Sequence, residues 1–291
     1  MSFTEFLLAD QSEELVNYME SINSFENIPE IFFNKLSDKL KIYYIIGGMP
    51  EAVNSWINYK DINKLEYIQQ SILSAYENDF SKHTSAFEAN KISIIFNSIP
   101  SQLSRDNKKF LYGTAKEGAR AREYEDAINW LANANILNKV YNISKPNMPL
   151  ISYNDLSSFK IYLHDVGLLK KMTDLDSSII TEGNRLYEEF KGALTENYIL
   201  QTLKQNGFKP NYFTFNNRYE IDFIIQYKNK IIPIEVKSGN SVNSTSLSVY
   251  NNTYNPDIRI KYSMNNLSKD DNLINIPLFL AEYTQKFINL I

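Results

Sequence analysis

Two strongly apolar segments that carry charged residues constrain this chain more than any other feature. The sequence YEIDFIIQYKNKIIPIEVKSGN spans residues 219–240. Side chains alternate between the two faces of a strand, so Glu220 and Asp222 share one face of the first segment, and Glu235 and Lys237 share one face of the second. Burying an ionised carboxylate without a partner costs several kcal/mol. We therefore expect these charges to face water, to be held by cations or to take part in chemistry.

The short link between the two segments predicts a β-hairpin that gathers the charges on one face. A two-residue turn at residues 228–229 or 229–230 would pair even-numbered positions with odd-numbered ones, and the asparagine shared by both alternatives suits left-handed turn geometry. Asp222 would then lie opposite Glu235 or Lys237. Because carboxylates opposed across a hairpin repel each other, the pairing needs a cation between them.

A hard divalent cation such as Mg²⁺ fits such a gap, because it takes carboxylate oxygens at about 2.1 Å and keeps several waters for a phosphate ligand. Asp222 and Glu235 are the candidate metal ligands, with Glu220 as an alternative. Lys237 could hold and polarise an attacking water or stabilise the charge that develops on a phosphorane. Glu196, on the preceding helical segment, could complete the acidic cluster.

These residues resemble the motif of the PD-(D/E)xK nuclease superfamily. Glu196 lies on the predicted first helix, Asp222 on the second strand, and Glu235-Val236-Lys237 on the third strand. The resemblance implies that these positions bind Mg²⁺ and hydrolyse phosphodiesters. The alternatives are a degenerate member that uses the fold for structure, and a solvated hairpin face with incidental charges.

The spacing of apolar residues predicts an α+β chain with three parts. Residues 1–90 have apolar residues at helical spacing throughout. Residues 91–180 predict two helices, a turn-rich link between them and two short strands, which is the order of a winged helix. Residues 181–291 predict a long helix closed by Gly207, three strands, a short helix, a strand and a terminal helix, an order that suits an α/β core.

The predicted winged helix contains a group of basic residues that could contact nucleic-acid phosphates. The group consists of Arg105, Lys108, Lys109, Lys116, Arg120 and Arg122. Four acidic residues dilute this charge: Asp106, Glu117, Glu123 and Glu125. Use of the winged helix for protein packing is therefore the alternative to nucleic-acid contact.

Several segments spread over nearly the whole chain resemble a larger family. They are SFTEFLL, GGMPEAV, LSRDNKKFLYG, GARAREYEDAINWLANANILNKV, PLISYNDLSSFKIYLHDVGLL, GALTENYI and EIDFII followed by IIPIEVKSG. Together they resemble the C-terminal region of a widespread prokaryotic family of AAA+ ATPases with an uncharacterised, DUF4143-like C-terminal domain. The resemblance implies an AAA+ lid-like helical region at residues 1–90, a winged helix at 91–180 and a restriction-endonuclease-like PD-(D/E)xK domain at 181–291.

The ATP-binding core of that family is missing from this sequence. A P-loop needs GxxxxGK[ST], because its backbone amides cradle phosphate while the lysine reaches the terminal phosphates. The nearest segment, GTAKEGAR, has Gly113 and Gly118 at the right spacing but Ala119 and Arg120 where Lys and Ser/Thr belong. We therefore expect no ATP hydrolysis by this chain alone. A truncated product, a split gene or a shortened chain would explain the missing core, and an ATPase partner could act in trans.

Composition excludes other classes of site. The chain has no cysteine and only two histidines, His83 and His164, which excludes disulfides, thiolate metal sites and a histidine-rich zinc site. No nucleophile elbow accompanies His164-Asp165, so a structural histidine is predicted. The net charge of -4 gives no global attraction for nucleic acid, so any such binding depends on a local patch.

The sequence also predicts where the protein acts. It shows neither a signal peptide nor a stretch of about 18 uncharged apolar residues, and we expect a cytoplasmic protein without a membrane partner. The leading functional prediction is part of an AAA+ family protein that binds nucleic acid and cleaves phosphodiesters with Mg²⁺. The alternative is a catalytically silent module that couples a partner ATPase to another protein.

Overall fold

A computed structural model describes most of the chain, in five stretches: residues 1–82, 84–178, 188–216, 218–240 and 244–291. His83 and the predicted boundary between residues 180 and 181 lie outside these stretches. The helices of the described residues are α1 (Phe3–Ala9), α2 (Glu13–Ser21), α3 (Glu30–Ile46), α4 (Pro50–Tyr59), α5 (Ile62–Lys82), α6 (Ala86–Leu103), α7 (Tyr112–Ala115), α8 (Ala121–Asn133), α9 (Val166–Lys171), α10 (Glu188–Gln205), α11 (Thr245–Tyr254) and α12 (Thr284–Asn289). Short 3-10 helices occur at Leu150–Tyr153 and Leu278–Tyr283.

The strands of the described residues belong to one mixed sheet. They are β1 (Leu137–Ile143), β2 (Asn154–Leu163), β3 (Asn211–Phe215), β4 (Tyr219–Tyr227), β5 (Lys230–Val236), β6 (Arg259–Ser263), β7 (Ser268–Asp270) and β8 (Leu273–Pro277). Their order across the sheet is β2-β1-β3-β4-β5-β6-β8-β7. Strands β3, β4 and β5 form an antiparallel meander, and β5, β6 and β8 run parallel to one another. The parallel step from β5 to β6 uses α11 as its crossover, as parallel strands require.

The chain divides into two compact units. The first unit consists of Met1–Tyr43, Tyr141–Ser157 and Tyr198–Ile291, and the second of Tyr44–Val140 and Ser158–Asn197. Strands β1 and β2 and helix α10 each contribute residues to both units. The predicted mixture of a helical N-terminal region and a later sheet is confirmed, whereas the three-domain division stays a prediction. No helix among the described residues is long and apolar enough to cross a membrane.

The first unit contains the predicted hairpin, formed by β4 and β5. Tyr227 pairs with Lys230, so residues 228–229 form the two-residue turn, the first of the two predicted alternatives. The left-handed position falls on Lys228, with φ of 53°, rather than on the asparagine that was expected to favour it. The isoleucines Ile232 and Ile234 of β5 are fully buried, which fixes the register because a one-residue slip would expose them.

The helices and strands predicted for the winged helix occur in the predicted order: α6 and α8 precede β1 and β2, and the short α7 lies in the link that was predicted to be turn-rich. Tyr124, Ile128 and Leu131 of α8 are buried, as their spacing predicts for one helix face. The backbone N–H of Phe110 donates to the carbonyl of Phe159 at 2.7 Å, which ties the segment before α7 to β2. The identification of these elements as a winged helix stays a prediction.

A close backbone approach in the second unit explains two glycines. The carboxylate of Asp165 accepts hydrogen bonds from the N–H of Gly48 at 2.6 Å and from the N–H of Leu168 at 2.9 Å. Gly47 has φ of 74°, and a Cβ there would lie 2.1 Å from Oδ1 of Asp165. A Cβ on Gly167 would lie 2.5 Å from the backbone nitrogen of Gly47. Both positions therefore require glycine for this contact to form.

Substitution of Gly167 by alanine tests this contact. Gly167→Ala is expected to lower the free energy of unfolding by about 1–3 kcal/mol, because the added methyl group overlaps backbone atoms that have no room to move. Gly113→Ala is the matched control, since no atom lies within 4 Å of a Cβ at that position. Urea denaturation of the full chain measures the free energy of unfolding of both variants. A Gly167→Ala variant as stable as Gly113→Ala would contradict the prediction.

Candidate functional site

The β4–β5 hairpin brings the predicted acidic residues of the first unit together. Phe223 pairs with Ile234 in the hairpin register. Continuing that register by one position sets Asp222 opposite Glu235. Residues opposite each other project to the same face, so this continued register predicts both carboxylates on one face at the end of the hairpin away from the turn.

Both carboxylates have partners within the protein. Oδ2 of Asp222 accepts a hydrogen bond from the N–H of Val236 at 2.7 Å. Oε1 of Glu235 lies 2.7 Å from Nζ of Lys237. The side chain of Glu235 is only 7% exposed, whereas that of Lys237 is 33% exposed. A carboxylate this buried is tolerated because an ammonium group lies against it.

A second lysine beside Glu235 was not predicted from the sequence. Strands β5 and β6 pair in parallel with Glu235 next to Lys261, and Lys261 is buried. Burial lowers the pKa of Lys261 and the charge of Lys237 lowers it further, while Glu235 acts in the opposite direction. The backbone N–H of Lys237 donates to the carbonyl of Tyr262 at 2.8 Å, which extends the β5–β6 pairing past the end of β5. The sequence signal was a lysine inside the apolar strand RIKYS, the same signal that identified the charges of the hairpin.

Glu220 is partly buried and lies two residues before Asp222 on the same face of β4. Its register partner on β3 is Thr214. The described residues contain no group of three or more His, Cys, Asp or Glu side chains that could hold a metal ion. Mg²⁺, however, is commonly held by one or two carboxylates together with waters and substrate phosphates. Asp222 and Glu235 therefore fit Mg²⁺ in the type and number of their donor atoms.

Glu196 lies in the second unit, on α10, where it is surrounded by cationic and phenolic groups. Its carboxylate forms an ion pair with Lys108 and accepts a hydrogen bond from the hydroxyl of Tyr162 at 3.1 Å. The side chain is 8% exposed. Burial alone would raise the pKa of Glu196, but the charges of Lys108 and Lys160 and the hydrogen bonds from Lys108 and Tyr162 together hold the pKa below its ordinary value.

The predicted basic residues differ in how far they are presented to solvent. Lys108 is engaged by Glu196, so two residues predicted for separate roles form one ion pair. The guanidinium of Arg105 donates to the hydroxyl of Thr114 at 3.4 Å and is partly buried. Lys109 is also partly buried, and three residues are exposed: Lys116, Arg120 and Arg122.

His164 has structural partners on both ring nitrogens. Nδ1 lies 3.0 Å from the carbonyl oxygen of Ile136, and Nε2 lies 3.3 Å from the hydroxyl of Tyr76. The neighbouring Asp165 accepts backbone N–H groups, as described above. The structural role predicted for His164 agrees with this geometry.

Two family models match parts of the chain. Residues 37–179 match a domain of unknown function, DUF8612, and residues 191–280 match a domain of unknown function, DUF4143. The DUF4143-like region predicted from the sequence is thereby confirmed over residues 191–280. The comparison with curated proteins found no match, and neither did the comparison with solved structures.

The charge of Glu196 is expected to stabilise the second unit. Glu196→Gln leaves the ammonium groups of Lys108 and Lys160 near a neutral group, so the free energy of unfolding at pH 7 is expected to fall by about 3–5 kcal/mol. Urea denaturation measures the change, and Glu117→Gln is the control because Glu117 is exposed.

The difference in stability between the wild type and Glu196→Gln is also expected to depend on pH. The pKa of Glu196 is lower in the folded protein than its ordinary value of 4.5. The stability advantage of the wild type over Glu196→Gln should therefore be complete above about pH 4.5 and should shrink as the pH falls through the lowered pKa. An advantage that stays constant from neutral to strongly acidic pH would show that the charge of Glu196 does not stabilise the fold.

Proposed function

We propose that this protein binds nucleic acid and hydrolyses phosphodiester bonds with Mg²⁺ at the open end of the β4–β5 hairpin. One observation carries the proposal: Asp222 and Glu235 lie on neighbouring strands, and Lys237 lies against Glu235. In such a reaction two carboxylates can hold Mg²⁺ and a lysine can act on the attacking water or on the phosphate.

Each residue has a defined role in this proposal. Asp222 and Glu235 would hold Mg²⁺, which when bound neutralises phosphate charge and makes a water more acidic. Lys237 reaches solvent with a third of its side chain exposed, so its ammonium group can orient the attacking water or stabilise the negative charge on the phosphoryl oxygens. Lys261 on β6 is the register neighbour of Glu235 and places a second lysine beside the site.

The wider proposal concerns the ATPase partner and the other domains that accompany this site. The DUF4143 domain is often found in proteins associated with AAA ATPases. This association supports a protein that works with an ATPase partner in trans. We further propose the lid-like helical region at residues 1–90 and the winged helix at 91–180 that the family resemblance implies. The strand order and the positions of Asp222 and Glu235 on the second and third strands after α10 support a PD-(D/E)xK domain.

A second function is favoured by the partners that the carboxylates already have. Asp222 accepts the N–H of Val236, and Glu235 is paired with Lys237, so both charges also hold the ends of two strands. We propose as the alternative a catalytically silent interaction module, in which the two carboxylates serve only to hold these strand ends.

Metal titration separates the two functions. Calorimetry with Mg²⁺ and Mn²⁺ is expected to show binding to the wild type, and affinity should fall at least about tenfold in Asp222→Asn and in Glu235→Gln, because each removes one anionic ligand. Asp257→Asn is the control, since Asp257 is exposed and lies outside the hairpin.

A plasmid-cleavage assay on the same samples tests the role of Lys237. Lys237→Met is expected to keep metal binding but to lose about 100-fold or more in cleavage rate, because it removes a group that acts on the reacting water or phosphate. A wild type that binds neither cation at millimolar concentration would leave the silent interaction module as the function.

A further inference from the structure

Two neighbouring segments of the second unit carry opposite charge. The first, which we name the basic loop, runs from residue 104 to residue 120 between α6 and α8 and includes α7. It contains five basic and two acidic residues. The second segment is α8, in which Arg122 is the single basic residue and three residues are acidic: Glu123, Glu125 and Asp126.

The charges of the basic loop are available to a ligand, with one exception. Lys108 is engaged by the buried carboxylate of Glu196. Lys116 and Arg120 are exposed, and Arg105 and Lys109 are partly exposed. The loop therefore offers four cations within a short stretch of chain.

The acidic residues of α8 are all exposed, because the opposite face of the helix is buried. Tyr124, Ile128 and Leu131 form the buried face. Glu123, Glu125 and Asp126 consequently project from the solvent side. The solvent face of α8 thus carries net negative charge.

The opposite charges of the basic loop and of α8 decide which of the two can approach nucleic acid. In helix-turn-helix proteins the recognition helix enters the major groove between two phosphate strands. Double-stranded DNA carries about one negative charge per 1.7 Å of its axis. Three carboxylates on the exposed face of α8 would be repelled there, whereas the cations of the basic loop would be attracted to the same phosphates.

We propose that nucleic acid contacts the basic loop through its phosphates, that the acidic face of α8 keeps this helix out of the major groove, and that the contact therefore does not read base sequence. The inference rests on the proposed function, because it assumes that nucleic acid is bound. It assigns the binding mode to the loop rather than to the helix that precedes the β1–β2 strands. Phosphate contacts fix position on the duplex but carry no sequence information by themselves.

Fluorescence anisotropy with a labelled 20-base-pair duplex tests the proposal on the full chain, in EDTA and over a range of salt concentrations. Lys109→Gln and Arg120→Gln should each weaken binding, and each should reduce the slope of log affinity against log salt by about 1. The side chain of Arg120 makes no capping hydrogen bond to α8, so its replacement leaves the helix start intact.

The matched control neutralises the helix instead of the loop. The double variant Glu125→Gln, Asp126→Asn should change affinity less than about twofold at 0.15 M salt, where screening is effective beyond about 8 Å. Two duplexes of equal length and different sequence should bind within about twofold of each other. Circular dichroism and urea denaturation of every variant confirm that it is folded.

Each outcome has one meaning. A rise in affinity of about tenfold in the helix variant, or strong preference for one duplex that is lost in Asn129→Ala, would place α8 in the groove and overturn the inference while leaving nucleic-acid binding intact. Wild-type protein that binds neither duplex nor single strand at low salt would overturn the inference together with the nucleic-acid part of the proposed function. Because EDTA removes divalent cations, neither result depends on cleavage.

Discussion

Two buried glutamates on which this structure depends each have a lysine ammonium group beside them, whereas the buried carboxylate of Asp165 is held by backbone N–H groups. Glu235 is paired with Lys237 in the first unit, and Glu196 with Lys108 in the second. Burial raises the energy of the charged form, and the neighbouring ammonium group offsets that cost only while the geometry holds. The strand ends and the basic loop are therefore held where these pairs can form.

The hairpin was predictable because everything that determines it is local in the sequence. Period-two alternation assigned the faces, and the short link restricted the register to two choices, one of which the structure adopts. Lys261 was not found in the same way, since its place beside Glu235 depends on a crossover through α11. Sequence periodicity describes one strand at a time, whereas the neighbours of that strand in a parallel sheet are set by tertiary packing.

In the second unit, too, local features were predictable from the sequence and long-range contacts were not. Helical spacing was enough to assign the buried face of α8, and hence the exposure of its acidic residues. It gave no sign that Lys108 would meet Glu196, which lies 88 residues later in the chain. A basic residue counted as surface charge thus proved to be a partly buried counter-ion, and the electrostatic character of the basic loop depends on that difference.

The two candidate functions of the hairpin make different use of the same ion pair. In the proposed nuclease, a cation held by Asp222 and Glu235 would compete with the ammonium of Lys237 for the carboxylate of Glu235, while the hydrogen bond from Val236 would orient the carboxylate of Asp222. A displaced Lys237 would lie close to a phosphate at the cation, so metal and substrate binding would reinforce each other. Buried Lys261 lies next to Glu235 in the β5–β6 register, so a second lysine is beside this carboxylate in either function. In a silent module the exchange never takes place, and the pair serves only to hold β5 in register with its neighbours.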